Sequence, residues 1–348
     1  MTGKNKINKI GAKKFSISGT NENRRFLRFE KSKGFFRTFK NVTFLRGDIL
    51  LELRKDYILN RYVIIAEKRK VRPREFHREE KIAEPKVCYF CPGNEHTTPP
   101  EIGRVEYKGK WKMRWFPNKF PFLQKNTKAY GYHEVIVETA EHKKQLWDMG
   151  EKDIVGVLKV YALRIKDLEK KKGIKYVSIF KNHGREGGTS ILHTHTQVAA
   201  MGYVPTLVLD EIRASHKGKK CLYCSIVKKE ANSKRKAFEN KDFVAFCPYA
   251  SRFNFEIWIF PKKHVKDINE FNENELLNLS KILKRILLKL KKLNCSYNYY
   301  LHYAPGGKDL HFHIEITPRL ASWGGFEFST DTVINSVSPE NAARFYRG

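Results

Sequence analysis

The chain has 348 residues and a formal net charge of +31 at pH 7, and 41% of its residues are hydrophobic. This length exceeds a typical single domain, so we expect two units that each bury a core. No apolar run approaches the length of a membrane span and the first residues lack the apolar segment of a secretory signal, so we predict a soluble, cytoplasmic protein.

The basic charge begins with the N-terminal segment. Residues 1–48 hold 13 Lys and Arg against 3 acidic residues and show little hydrophobic periodicity. We predict that residues 1–50 form a basic, flexible extension. The remaining charge indicates either a polyanion-binding surface or solvated, Lys-rich helix faces such as residues 281–293, and we favour the second interpretation.

The first series of motifs runs from Cys88 to residue 200. CYFC at residues 88–91 is followed by a strand pattern, HEVIVET at residues 133–139, and then by His142. A helical pattern covers residues 151–173, a further strand pattern is YVSIF at 176–180, and the series ends in ILHTHTQVAA at 191–200.

The same order then occurs a second time. CLYC at residues 221–224 precedes the strand pattern FNFEIWIF at 253–260 and His264, and a helical pattern covers residues 272–293. YNYYLHY at 297–303 and HFHIEI at 311–316 complete the series. The separation from Cys91 to His142 is 51 residues and from Cys224 to His264 it is 40. The repeated order predicts two homologous halves.

Each half therefore combines strands, one long helix and further strands. This pattern predicts an α+β fold in which the helix packs on an antiparallel sheet. Because intracellular proteins rarely use structural disulfides, each C-x-x-C pair predicts half of a zinc site whose other ligands are histidines. A pair of buried thiols is the alternative for CLYC, while Cys247 and Cys295 stand alone.

The HTHTQ motif, His193 to Gln197, has polar residues at a spacing of two. In a strand, His193, His195 and Gln197 would project from one face, and Thr194 and Thr196 from the other. An isolated strand histidine is usually structural, but the glycine-rich NHGREGGTS at residues 182–190 comes directly before this motif and indicates a phosphate site.

The sequence resembles the galactose-1-phosphate uridylyltransferase branch of the histidine triad superfamily, whose members have two such halves. The resemblance rests on RYVIIAEKRKVRP, CYFCPGNEHTTPPEI, FPNKFPFL, GYHEVIVETAEH, NHGREGGTSILHTHTQ, HFHIEITPR and GGFEFSTDTVINSVSPENAA. It implies two tandem histidine-triad-like halves, an N-terminal half over residues 51–205 and a C-terminal half over residues 206–348.

The resemblance also implies the site residues. His195 would be the nucleophile that forms a nucleotidyl-histidine, and Gln197 would donate an amide hydrogen to a phosphoryl oxygen. Two structural zinc ions per chain would each have four protein ligands: Cys88, Cys91, His142 and His193 for the first, and Cys221, Cys224, His264 and His311 for the second.

Substrate contacts are implied at three places. The glycine-rich loop would offer backbone N–H groups at Gly184, Gly187 and Gly188 together with the side chains of Asn182 and Ser190. The nucleoside would contact Asn118 and Phe120. Arg69 and Arg72 would face the phosphates, since the guanidinium fork suits that charge.

Three functions follow as expectations. The first is UDP-glucose:hexose-1-phosphate uridylyltransferase, a homodimer acting on a nucleotide sugar and a sugar 1-phosphate such as galactose 1-phosphate. The second is an ADP-sugar phosphorylase that uses phosphate as acceptor, because the C-terminal motif looks like the branch with archaeal-type uridylyltransferases and plant ADP-glucose phosphorylase. The third, a non-enzymatic zinc and nucleic-acid-binding protein, leaves Gln197 and the phosphate loop unexplained, so a nucleic-acid partner is not expected.

Two positions depart from the family pattern. Thr194 stands where a proline is usual, which removes a rigid φ and keeps both histidine directions. His313 is the positional counterpart of His195, but Ile314 and Glu315 follow it and no comparable glycine-rich loop precedes it. We therefore expect His313 not to be a nucleophile, with Glu315 and Arg319 at the dimer contact or the pocket edge.

Overall fold

The computed structural model of the chain describes residues 51–67, 69, 87–217 and 220–348. The predicted flexible extension, residues 1–50, and the predicted phosphate ligand Arg72 lie outside the described residues. In the part that is described, no helix combines the length and the apolar character that crossing a membrane requires.

The described chain alternates strands and helices. The strands are β1 (Leu51–Lys55), β2 (Tyr62–Ala66), β3 (Gly103–Tyr107), β4 (Lys110–Pro117), β5 (Gly131–Val137), β6 (Tyr176–His183), β7 (His195–Met201), β8 (His216–Lys217), β9 (Lys220–Cys221), β10 (Lys236–Glu239), β11 (Phe243–Phe246), β12 (Ile257–Pro261), β13 (Tyr297–His302), β14 (His313–Pro318) and β15 (Val333–Asn335). The helices are α1 (Glu151–Glu169), α2 (Thr206–Ser215), α3 (Leu222–Glu230), α4 (Glu273–Leu293), α5 (Gly325–Thr330) and α6 (Pro339–Arg347).

One large sheet holds ten of these strands in the order β10-β11-β12-β14-β13-β6-β7-β5-β4-β3. All its neighbours pair antiparallel. Strands from the two repeated series meet where β6 pairs with β13, with Tyr297 opposite His183. The predicted α+β architecture with antiparallel strands is confirmed, and the strands of both series join in a single sheet.

The two long helices cover this sheet. Helix α1 packs against β6 and β7, α4 packs against β11, and the helices contact each other. Both present a buried apolar stripe at helical spacing, such as Ile154, Leu158 and Ile165 on α1. Helix α4 begins at Glu273 and is capped by Asn272, whose side chain accepts hydrogen bonds from the N–H groups of Asn274 and Glu275.

Two predicted element boundaries differ from those observed in the structure. Helix α1 stops at Glu169 rather than at residue 173, and the chain turns at Gly173 with φ +83°. The predicted strand 253–260 begins only at Ile257, because Phe255 has φ +61° and the carboxylate of Glu256 accepts hydrogen bonds from the N–H groups of Arg252 and Phe253. Residues 252–256 therefore form a turn.

A small sheet ties the start and the end of the described chain together. Strand β2 pairs antiparallel with β1 and parallel with β15. The guanidinium of Arg54 on β1 contacts the carboxylate of Glu340 on α6 at 3.1 Å, and Arg235 donates to the same carboxylate at 2.9 Å. These ion pairs fasten both ends of the described region to the segment before β10.

Candidate active site

The HTHTQ motif lies at the start of a central strand. Strand β7 begins at His195, so His193 precedes the strand, and the expectation that all three polar residues lie within it is wrong for His193. The alternation of faces is still observed, because the hydroxyls of Thr194 and Thr196 both donate to the carboxylate of Glu138, at 2.7 and 2.6 Å. The side chains of His195 and Gln197 lie on the opposite face.

The imidazole of His195 is held in one tautomer. Its Nδ1 atom lies 2.9 Å from the carbonyl oxygen of His193, which only accepts, so Nδ1 carries the hydrogen. Burial, with a smaller contribution from the ammonium of Lys181, lowers the pKa of His195 to about 4. The ring is therefore neutral at pH 7, and its Nε2 atom keeps a free lone pair.

Gln197 has a partner that the sequence did not indicate. The Nε2 atom of His133 on β5 lies 2.9 Å from Oε1 of Gln197, and the amide nitrogen of Asn118 lies 3.3 Å from the same Nε2 atom. The Phe122 ring lies 4.1 Å from the His133 ring, centroid to centroid. His133 belongs to the GYHEVIV strand pattern, and only the pairing of β5 with β7 reveals its position.

A buried cluster of polar side chains, which the sequence did not predict, lies on the other face of β7. Lys181 of β6 donates to Oε2 of Glu138 at 2.5 Å, to the hydroxyl of Thr194 at 2.8 Å and to the carbonyl oxygen of His195 at 3.0 Å. The hydroxyl of Tyr161 on α1 donates to the same carboxylate. These side chains lie directly behind the strand end that presents His195.

The glycine-rich loop packs tightly against β13. Gly184 has φ +75°, and a Cβ atom there would come within 2.2 Å of the Ser296 hydroxyl. A Cβ atom at Gly187 would come within 2.3 Å of a backbone oxygen, so both positions require glycine. The Asn298 amide donates to Oδ1 of Asn182 and to the carbonyl oxygen of Gly187, at 2.9 and 2.6 Å. The second half thus braces the loop.

A cavity of about 230 Å³ opens beside this loop. It is lined by residues of the loop, by His195 and by the segment that follows His142. Gly188 has φ +80° and is exposed, and Ser190 is exposed as well. The structure therefore brings Asn182, Gly184 and His195 to one cavity.

The predicted nucleoside residues lie near His133. The side chain of Asn118 accepts a hydrogen bond from the backbone N–H of Phe120 at 2.9 Å. The Phe120 ring is 83% exposed, which leaves its face free for stacking on a base. Arg69 is also exposed, and its predicted partner Arg72 lies outside the described residues.

The first Cys and His cluster lies beside the nucleophile strand. The ligand atoms of Cys88, Cys91, His142 and His193 all lie within 4.8 Å of one another. The Nε2 atom of His193 lies 2.7 Å from the carbonyl oxygen of Thr139, which turns Nδ1 towards both sulfur atoms at 3.6 Å. Thiolate and imidazole donors in this number and spacing fit a metal such as zinc.

The second cluster has the same construction. The ligand atoms of Cys221, Cys224, His264 and His311 lie within 4.8 Å of one another. The Nε2 atom of His311 lies 3.0 Å from the carbonyl oxygen of Pro261. The Nε2 atom of His264 lies 2.7 Å from Oδ1 of Asp309, an outer carboxylate that the sequence did not single out. This arrangement also fits a metal, because hydrogen bonds to groups outside the ligand set orient the two histidine rings.

His313 repeats the backbone contact of His195 in a different environment. Its Nδ1 atom lies 2.9 Å from the carbonyl oxygen of His311, and strand β14 begins at His313. The ring is fully buried and stacks on Phe260 with centroids 4.6 Å apart. An imidazole covered in this way is closed to a substrate, which supports the interpretation that His313 is not a nucleophile.

A third polar cluster surrounds His313 and was not predicted. The donor atoms of Glu211, His302, His313 and Glu315 lie within 4.8 Å of one another. Burial disfavours the charge on His302, but the carboxylate of Glu211 at 2.9 Å raises its pKa to about 9. Glu315 is buried within its own chain and accepts a hydrogen bond from the hydroxyl of Tyr300, so the expectation that it lies at the dimer contact or the pocket edge is wrong for this residue.

Comparison with known proteins identifies relatives for both halves. Residues 118–205 match the family model for the N-terminal domain of galactose-1-phosphate uridyl transferase, and residues 207–322 match the model for its C-terminal domain. An ADP-glucose phosphorylase from Arabidopsis thaliana is 33% identical over 328 residues, which cover 85% of this chain and 92% of that protein. A galactose-1-phosphate uridylyltransferase from Thermotoga maritima is 28% identical over 86% of this chain and 98% of that protein.

Solved structures give the same result. A crystal structure of an ADP-glucose phosphorylase from Arabidopsis thaliana with bound ADP-glucose superimposes with a TM-score of 0.76 at 32% identity. The match covers 85% of this chain and 98% of that chain. The likeness therefore extends over most of this chain and nearly all of the other.

Proposed function

Because the chain belongs to the galactose-1-phosphate uridylyltransferase family of nucleotidyltransferases, we propose that it transfers a nucleotidyl group through a covalent intermediate on His195. The observation that carries this proposal is the state of the imidazole. Its Nδ1–H is committed to the carbonyl oxygen of His193, its low pKa keeps it neutral, and His195 is one of the residues that line the cavity beside the glycine-rich loop.

The proposed reaction has two displacements. The Nε2 lone pair of His195 attacks the α-phosphorus of a nucleotide sugar, and the bond to the sugar phosphate breaks, so that the sugar phosphate leaves with the electron pair. The proton stays on Nδ1, where the carbonyl oxygen of His193 stabilises the cationic ring. An oxygen atom of the acceptor then attacks the phosphorus, the bond between phosphorus and Nε2 breaks, and its electron pair returns to Nε2, which regenerates the neutral imidazole.

Two groups are proposed to stabilise the charge on phosphorus. The amide nitrogen of Gln197 donates to a phosphoryl oxygen, because its oxygen is already used by His133. The backbone N–H of Gly187 is proposed to donate to the diphosphate, since the N–H of Gly188 already donates to the carbonyl oxygen of Arg185 at 2.9 Å. The contact of Asn118 with His133 and the exposed ring of Phe120 support their assignment to the nucleoside, and Arg69 is proposed to face the phosphates.

We further propose that each Cys and His cluster holds one zinc ion per chain. Four protein ligands leave no position for water or substrate, so both ions are structural. In the first cluster His193 is a ligand and also the hydrogen-bond acceptor for His195. The cluster therefore orients the nucleophile without taking part in the displacement.

We propose two alternative pairs of nucleotidyl donor and acceptor substrate for this site. UDP-glucose with a hexose 1-phosphate is supported by the family and by the Thermotoga maritima relative. ADP-glucose with inorganic phosphate is supported by the higher identity to the Arabidopsis thaliana ADP-glucose phosphorylase. A homodimer, the expectation from the resemblance, is also proposed and is measurable by light scattering.

A substrate panel tests the proposal. UDP-sugars and ADP-sugars are each incubated with galactose 1-phosphate and with inorganic phosphate, and products are separated chromatographically. Turnover with one pair identifies the activity, and the retained nucleotidyl group on the protein identifies the intermediate. Absence of both turnover and adduct with every donor would overturn the proposed chemistry.

A further inference from the structure

At His195, strand β7 is paired with a neighbouring strand on one side only. Strand β5 pairs with β7 up to Val137 opposite His195, but β6 pairs with β7 only up to Phe180 opposite Gln197. Strand β6 continues along β13 instead, with Asn182 opposite Asn298. The two strands thus separate at the nucleophile, and the cavity beside the glycine-rich loop opens between them.

The side chain of Lys181 occupies the gap. Its ammonium donates to the carbonyl oxygen of His195 at 3.0 Å, at the place where the ladder between β6 and β7 has ended. It also donates to the hydroxyl of Thr194 at 2.8 Å. The Lys181 side chain therefore contacts both Thr194 and His195 where backbone pairing with β6 is missing.

Glu138 holds the same segment from β5. Its carboxylate accepts from the hydroxyls of Thr194 and Thr196 and from the ammonium of Lys181. Its backbone N–H donates to the carbonyl oxygen of Thr194 at 3.3 Å. Although burial raises the pKa of this carboxyl, the Lys181 ammonium and the two hydroxyls hold it below its usual value, so Glu138 is ionised at neutral pH.

Stability alone does not account for this pair. The side chains of Lys181 and Glu138 are 1% and 0% exposed, so both charges pay a large desolvation cost. Apolar pairs of similar volume are often equally or more stabilising at such positions. A fully buried ion pair that contacts the residues on either side of His195 is better explained by the geometry that it fixes.

We propose that Lys181 and Glu138 are positioning residues that fix the backbone on both sides of His195 and so keep its Nε2 atom aligned with the bound phosphate. This rests on the proposed role of His195 as nucleophile. Lys181 lines the cavity, but its ammonium is committed to Glu138, Thr194 and the carbonyl oxygen of His195, and Glu138 does not line the cavity. The effect is therefore expected in the rate of nucleotidylation and not in donor affinity.

The test removes both charges together. Lys181→Met with Glu138→Gln keeps volume and leaves the Thr hydroxyls a partner, so the fold and the zinc content should remain. The single-turnover rate of His195 nucleotidylation should fall by about tenfold to a hundredfold, the scale expected for a small misplacement of a reacting group. The donor concentration that gives half the maximal rate should stay unchanged.

A matched control uses another buried ion pair of the same half. Arg164 on α1 contacts Glu134 on β5 at 2.8 Å, and both side chains are 5% exposed. Arg164→Met with Glu134→Gln should change thermal stability comparably and leave the nucleotidylation rate within about twofold. Equal rate losses in the two double variants would overturn the proposal, because the effect would then reflect general loosening.

Thr194 provides a second, milder comparison. Thr194→Val removes the hydroxyl that bonds to both charged groups and should lower the nucleotidylation rate, while Thr194→Ser should restore it. A normal rate in Thr194→Val and in the charge-free double variant would overturn the positioning role alone. Absence of any His195 adduct in the unmutated protein would instead overturn the proposed function and this inference with it.

Discussion

The Nε2 atom of His133 lies 2.9 Å from the Oε1 atom of Gln197. Burial lowers the pKa of His133, so the ring is neutral and has one hydrogen to donate. The amide oxygen of Gln197 accepts this hydrogen, and the amide nitrogen is left to face a ligand. A strand residue thus determines which end of the glutamine a phosphate meets.

This relationship predicts different effects at the two positions. Gln197→Ala should lower turnover by about a hundredfold or more, because one donor to a developing phosphoryl charge is lost. His133→Leu keeps the donor but releases its orientation, so we expect a smaller loss, about tenfold, measured in steady-state kinetics. Gln197→Glu, which has no amide N–H, should resemble Gln197→Ala; a fully active Gln197→Glu would contradict the donor role.

Substitutions of the two histidines in the HTHTQ motif are predicted to have different effects. His195→Ala should abolish turnover and keep the zinc content, whereas His193→Ala should lose metal and stability together. Intact-protein mass spectrometry after incubation with a nucleotide sugar alone should find a nucleotidyl adduct on His195, stable to base and labile to acid. An adduct mapped to another residue, or full activity of His195→Ala, would refute the mechanism.

The sequence predicted the site where local patterns determine geometry. A spacing of two placed Thr194 and Thr196 on the face opposite His195, and the structure agrees because both hydroxyls reach Glu138. The C-x-x-C pairs likewise predicted two half zinc sites completed by histidines, and the family resemblance implied the two four-residue sets that the structure gathers in two clusters. The first inference used spacing along the chain, and the second used motifs known from the family.

The missed residues depend on strand order in the sheet. Lys181 follows the YVSIF pattern and His133 begins HEVIVET, and neither position has a local signal of function. Their roles arise because β7 lies between β5 and β6 and because β6 leaves β7 after Phe180. Asp309 was missed because its contact with His264 spans 45 residues and depends on the fold and not on a local pattern.

Metal analysis should distinguish the two clusters. The unmutated protein should hold two zinc ions per chain, Cys221→Ser should lose one, and Cys88→Ser should lose the other together with turnover, because His193 would no longer be held. Asp309→Asn should keep the ion at saturation but weaken its affinity by about tenfold to a hundredfold, as expected for an outer carboxylate.

Cys295→Ala is the control for these variants, since Cys295 is a buried free cysteine outside both clusters. It should retain both ions. The ligand assignment would be wrong if the unmutated protein contained no metal, or if Cys221→Ser retained two ions.

The ion pairs of Glu340 predict a pH-dependent contribution to stability. Burial raises the pKa of this carboxyl, but its hydrogen bond from Arg235 and the charge of Arg54 bring it below the ordinary value of 4.5. A depressed folded-state pKa means that the stabilisation is fully present above the unfolded value and is lost as the pH falls through the folded value. Glu340→Gln should therefore lower the free energy of unfolding by about 1 to 3 kcal/mol at pH 7.

The decisive feature is how this difference changes with pH. Urea unfolding of Glu340→Gln and of the unmutated protein should give converging free energies as the pH falls through the lowered folded-state pKa, because below it the carboxyl is protonated in both states. Glu239→Gln is the matched control: Glu239 pairs with Lys236 and Lys262 at the surface, so its loss should cost less than about 1 kcal/mol. A Glu340→Gln difference that stayed constant down to low pH would mean that the side chain acts through packing and not through its charge.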